Sequence, residues 1–144
     1  MAAAVLDASL VVLLGIVTLS DLRTRLVPDA ALVASLAVAL PVCLLSDPGS
    51  VPPRLLAGTA AGGFLLLAAV IRPDGMGLGD VKLAWVLGFF LGAAVVETML
   101  IAFAAGSVAG LVLLAGEGWS ARSRTIPFAP FLAAGALVAI ATQP

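Results

Sequence analysis

The chain has 144 residues, of which 62% are hydrophobic and only 10% charged, with a net charge of −1; a soluble domain would carry about a quarter charged residues, so the composition is that of an integral membrane protein. No basic run or aromatic-interleaved patch offers a nucleic-acid surface, and no nucleic-acid partner is expected. The absence of histidine removes the commonest metal ligand and general base, and the single Cys43, inside the apolar run "ALPVCLL", excludes an internal disulfide or cysteine metal cluster.

From the N-terminus, "MAAAVLDASL" lacks the positive region of a secretory signal and carries Asp7 instead, so it reads as the start of a retained span. Apolar runs broken by Gly, Pro and charge predict helices near 2–20, 30–46, 54–71, 81–93, 95–116 and 126–143. Most match a hydrocarbon core of about 30 Å at about 1.5 Å per residue. The fourth is short, about 20 Å long as a helix, which places Asp80 at its head below the membrane surface. A single span from Val81 to Ala115 would bury Glu97, so two helices joined by a tight turn are expected. The predicted fold is an all-α bundle of about six transmembrane helices with short loops, forming one membrane-embedded domain over residues 1–144.

Charge sorts the loops. Arg23 and Arg25 separate spans 1 and 2, Arg72 and Lys82 lie between or just inside spans 3 and 4, and Arg122 and Arg124 separate spans 5 and 6. Only Arg54 falls on the other side, so the positive-inside rule makes the first set cytoplasmic and puts both termini outside. Asp21 and Asp80 then share the cytoplasmic face. Glycine pairs at four-residue spacing, Gly58 with Gly62, Gly88 with Gly92 and Gly106 with Gly110, read as packing seams within the bundle, with dimerisation as the alternative.

Two loops carry the candidate chemistry: "SDLRTRLVPDA", Ser20 to Ala30, and "GMGLGDVKL", Gly75 to Leu83. Each sets an aspartate at a helix end. Asp80 as a cap and Asp21 as an anchor paired with Arg23 or Arg25 is one reading; a functional pair of acids at a membrane face is the other. Gly75, Gly77 and Gly79 alternate before Asp80, a pattern expected where backbone must be bare or take positive φ, and an extended peptide could pair along it. Asp29 after Pro28 is expected to cap span 2, and Asp74 in "RPDG" to sit in a turn. Lys82 reads as an interfacial anchor, with tuning of Asp80 or contact with substrate as alternatives. Pro127 and Pro130 start and kink span 6 without chemistry, and Glu97 and Glu117 are interfacial.

These segments resemble the type IV prepilin peptidases, membrane aspartic proteases with a GxGD signature. The family's Asp-Leu-Arg segment and following Pro-Asp or Pro-Asn turn correspond to "DLRTRLVPD", its Gly-x-Gly-Asp-x-Lys to "GLGDVK", Gly77 to Lys82, and its Ile-Pro-Phe-Gly-Pro-Phe to "IPFAPF", Ile126 to Phe131, where Ala129 replaces the usual Gly. The resemblance implies Asp21 and Asp80 as the catalytic aspartates, with Gly77, Gly79 and Lys82 as substrate-binding or motif residues. It further implies no metal or cofactor, and the short, peptidase-only form without the methyltransferase segment. The implied substrate is a prepilin or pseudopilin with a short basic leader, cut after a glycine on the cytoplasmic side.

The chemistry suits the residues. Two carboxyls held close in poorly solvated surroundings cannot both ionise cheaply, so one keeps its proton. Rival protease classes lack their parts: there is no histidine for a Ser-His pair and no H-E-x-x-H for zinc. A Ser-Lys dyad using Lys82 with Ser20 or Ser107 is conceivable but less favoured, since Lys82 lies near the cytoplasmic face and Ser107 mid-span in another helix. A small ion- or proton-coupled transporter, or a structural membrane subunit using the aspartates as caps, is the alternative from another class. A transporter would place its acids near the midplane and not at one face.

Overall fold

A computed structural model describes residues 1–123 and 126–143. Arg124, counted above with the cytoplasmic charges, lies outside the described residues, as does the side chain of Arg122. The helices are α1 (Ala2–Thr24), α2 (Asp29–Ser46), α3 (Val51–Ile71), α4 (Leu78–Leu91), α5 (Val95–Glu117) and α6 (Ala129–Thr142), with short 3-10 turns at Pro48–Ser50, Gly92–Ala94 and Gly118–Ser123. Among the described residues there is no strand, and the protein is an all-α membrane protein.

Among the described residues, the expected six separate spans are corrected to five helical runs. Four are long and apolar enough to cross a membrane, the last running without interruption from Leu78 to Ser120, and α6 is a shorter apolar helix of 14 residues. The fourth and fifth spans merge because only a 3-10 turn separates α4 from α5. Its hinge is Gly92, whose φ of 59° is a backbone state that a side chain disfavours. The tight turn foreseen before Glu97 is therefore present, but it is helical.

Helix ends also move. Hydropathy stops at Ser20, yet α1 continues through "SDLRT" and closes at Arg25, which takes the left-handed conformation at φ 54° and returns its N–H to the Asp21 carbonyl at 2.9 Å. Asp21 thus rides on the last turn of a helix. At the other aspartate the helix begins earlier than expected, at Leu78, with Gly77 as N-cap, so Asp80 sits in its first turn.

The α3–α4 seam is backbone against backbone. A Cβ on Gly88 would lie 2.5 Å from the Gly58 Cα, and one on Gly58 would lie 2.6 Å from the Trp85 carbonyl oxygen, distances that only glycine permits. The other glycine pairs behave differently, since Gly92 is the hinge and a Cβ on Gly110 would meet nothing within 4 Å. The buried centre is built from Leu10, Leu13 and Val17 of α1, Leu65 of α3, Leu83, Leu87 and Phe89 of α4, and Leu132 of α6. At one end of the bundle Arg54 donates to the Phe89 and Phe90 carbonyls that close α4. These are carbonyls that a helix end leaves without intrahelical partners. Near that end Thr142 donates to Glu97 at 3.3 Å. The opposite end carries the aspartates.

Candidate active site

The site begins with the two local structures that present the acids. On α1, the Thr24 hydroxyl donates to the Ser20 carbonyl at 2.9 Å, and the Ser20 hydroxyl reaches forward to the Leu26 carbonyl at 2.8 Å. These bonds stitch the departing loop to the helix end. Asp21 is only 6% exposed, and its Oδ2 is buried without a hydrogen-bond partner among the described residues. Arg25 lies within Coulombic reach of this carboxyl group, and the backbone N–H of Ala129, the first residue of α6, is directed at it. A buried carboxylate oxygen left unpaired is rare in a folded protein and marks a place where a water or substrate atom would be held.

On α4, Asp80 is the third helical residue. Its N–H donates to the Gly77 carbonyl at 3.1 Å, and the Gly77 backbone N–H is directed back at its carboxyl group. This is the reach-back half of a capping box. The cap reading of Asp80 therefore has a real geometric basis, although the residue occupies the third position and not the N-cap itself. Asp80 is half-buried and near enough to Asp21 for the two charges to act on each other.

Both aspartates line one cavity of about 750 Å³, together with Ser20, the 25–29 loop, Gly77, Gly79 and Lys82. All five candidate residues from the sequence thus meet at one place. The glycine pattern works differently from expectation. None of Gly75, Gly77 and Gly79 has positive φ. Gly77 is extended and uncrowded, whereas a Cβ on Gly79 would stand 3.0 Å from both Cβ and Cγ2 of Val27, so only Gly79 is required for close approach. The bare strand on which a peptide could pair is not formed, because Gly75 closes a turn onto Arg72 and Gly79 is already helical.

Lys82 and Asp29 are also reassigned. Asp29 is the first residue of α2, with Pro28 as N-cap and no side-chain capping bond. Its two carboxylate oxygens instead accept from the Lys82 Nζ at 2.9 and 2.8 Å. Asp74 lies in an exposed turn, as expected. The contribution that sequence reading missed is the start of α6. Pro127 and Pro130 frame a helix whose first amide meets Asp21, and the only signal for it was the proline-marked N-terminus, where backbone N–H groups stand unpaired.

The fold and site together define an all-α membrane protein with two carboxyl groups facing one cavity at one end of its bundle. The chain belongs to the Type IV leader peptidase family, whose sequence model matches residues 8–115. It is 38% identical over 134 residues to a prepilin leader peptidase/N-methyltransferase of Bacillus subtilis (strain 168), covering 88% of this chain and 51% of that protein. To proteins of the same name from Burkholderia pseudomallei strains 1026b and K96243 it is 34% identical over 126 residues, covering 80% of this chain and 39% of each. The chain thus spans about half or less of the length of these relatives. No solved structure matches it.

Proposed function

We propose that this chain is a membrane aspartic endopeptidase that removes the short basic leader of type IV prepilins or pilin-like secretion subunits, with Asp21 and Asp80 as its catalytic pair and residues 1–144 acting as one peptidase domain. The observation that carries the reading is the shared cavity: two acids from separate motifs face it, and one has a buried oxygen with no hydrogen-bond partner among the described residues.

The ionised member of the pair takes a proton from a water as that water's oxygen attacks the scissile carbonyl carbon. The protonated member donates to the carbonyl oxygen, stabilising the tetrahedral intermediate. Collapse of the intermediate breaks the C–N bond while a carboxyl group returns a proton to the leaving amine. The pair titrates as a unit, so neither half of this division belongs permanently to one residue. Gly79 lets the 25–29 loop lie against the helix that carries Asp80. We place the protein in the cell membrane as a multi-pass protein, with the cavity facing the cytoplasm and both termini outside. The basic residues of the 23–25 and 72–82 segments support that orientation.

The test is replacement of each acid by its amide. Asn keeps the size and much of the hydrogen bonding of Asp, so if the two acids serve only to hold helix ends in a transporter or scaffold, Asp21→Asn and Asp80→Asn remain as competent as the parent. If they are catalytic, each single variant is inert towards a prepilin that the parent shortens, and the double variant is no worse. Asp74→Asn, in its exposed turn, is the matched control and should retain activity.

A further inference from the structure

Asp21 and Asp80 stand on helices that barely touch: α1 packs on α2 and α6, whereas α4 packs chiefly on α3. Something other than direct α1–α4 packing must fix how closely the two carboxyl groups approach. α6 and α2 each pack on both helices. At the height of the carboxyl groups, two further ties bracket Asp80 in sequence. Just before it, Gly79 lies bare against Val27; just after it, Lys82 grips both oxygens of Asp29. Val27 belongs to the short segment that leaves the Asp21 helix, Asp29 opens α2 at the end of that segment, and the segment is itself stitched back to α1 by the Ser20–Leu26 bond. Asp80 is therefore fastened on both flanks to the chain that issues from Asp21.

We infer that the Lys82–Asp29 ion pair and the Gly79–Val27 contact form a clamp that sets the separation of Asp21 and Asp80, making Lys82 and Asp29 positioning residues for the reaction. This rests on the catalytic reading of the two aspartates. The ion pair itself is more than half exposed on both partners, and exposed pairs contribute little to global stability. Its strategic place, and not its strength, gives it influence. Dyad chemistry is sensitive to displacements that the fold as a whole tolerates.

Lys82→Met and Asp29→Asn, each made in the full chain and assayed in detergent against a prepilin peptide, are expected to lower kcat by about 10- to 100-fold, the range for a small misplacement of catalytic groups. KM and thermal unfolding should stay near the parent values. The double variant should lose no more than either single, because both remove one tie, and Lys82→Arg should retain most of the activity. The pH–rate profile supplies a readout that a merely structural role would not move. Two acids pushed apart interact less, so the bell should narrow in the variants. Gly79→Ala tests the other tie. It should lower kcat by crowding Val27, with partial recovery in Gly79→Ala/Val27→Ala, and it stands in if the ion-pair variants fold poorly. Single variants with parental kcat, losses that add in the double variant, or a raised KM at constant kcat would each overturn the clamp, the last because it would place Lys82 and Asp29 on the substrate. Failure of the underlying reading looks different: Asp21→Asn or Asp80→Asn would then be active.

Discussion

At the scale of single residues, the two acids were legible because the chain holds so few charges that each must be explained, and both stand at helix ends beside unusual backbone. Their environments were not legible. Asp21 is nearly sealed, with one oxygen unpaired, while Asp80 is half-buried in the first turn of α4. The amide that meets Asp21 belongs to Ala129, and a backbone N–H has no residue type to read in a sequence. Ala129 is fully buried, which gives the position a steric prediction. Ala129→Gly restores the residue usual in the resembled family. It removes one methyl group and keeps the amide, so it should cost at most about 1 kcal/mol of stability and leave cleavage close to the parent. Ala129→Val forces extra volume into a site with no room, which should displace the start of α6 from Asp21 and reduce cleavage more than it lowers the unfolding temperature. Parallel thermal unfolding and leader-cleavage assays on the two variants decide this. Equal activity from both would show that the position of the α6 amide does not matter.

At the scale of helices, hydropathy located the apolar runs, divided the continuous run from Leu78 to Ser120 into two separate spans, and misplaced several ends, because it reports what the bilayer accepts, whereas a helix ends where its backbone is capped. "SDLRT" is too polar for lipid but can still form a helical turn, so α1 runs on to the left-handed Arg25. The seams were legible only in part, because four-residue glycine spacing shows that a bare face exists without showing which face finds a partner. Gly88 meets Gly58 backbone to backbone, while Gly110 meets nothing. Gly88→Ala should therefore separate α3 from α4 and destabilise the protein by about 1–3 kcal/mol, the usual range for overpacking. The identical change at Gly110 should be neutral or slightly stabilising, since Ala is the better helix former. Thermal unfolding in detergent measures both. Because α4 also carries Asp80, Gly88→Ala should lower cleavage even where the protein still folds. A neutral Gly88→Ala would mean that the seam is looser than the close approach at Gly58 requires.

At the scale of the whole molecule, the five helical runs and the charge distribution must be reconciled with a bilayer. α4 leaves the aspartate end and closes under Arg54, while α6 starts at Asp21 and finishes where Thr142 meets Glu97. Both therefore run from the site end to the far end, although each has only 14 residues and covers about 21 Å of a hydrocarbon core of about 30 Å. Two short helices cannot hold the aspartates at the full height of the headgroups, so the cavity should lie below the surface or the bilayer should thin around it. Helix α1, which runs for 23 residues and carries Asp21 in its last turn, starts at the far end, and the described C-terminal residues lie there too. With Arg23, Arg25, Arg72 and Lys82 at the aspartate end and Arg54 opposite, the positive-inside rule turns this geometry into an orientation. Single cysteines introduced at Thr24 and Asp74, in a chain whose Cys43 is replaced, should resist an impermeant thiol reagent applied to intact cells and react after permeabilisation. Cysteines at Ser50 and Gln143 should react from outside. Gln143 is the discriminating position, because if the run from Leu78 to Ser120 crossed the bilayer only once, the far end of α6 would fall on the opposite side. Labelling of Ser50 without Gln143 would refute two passes for α4 and α5, whereas labelling of Thr24 from outside would invert the molecule and move the proposed peptidase site out of the cytoplasm.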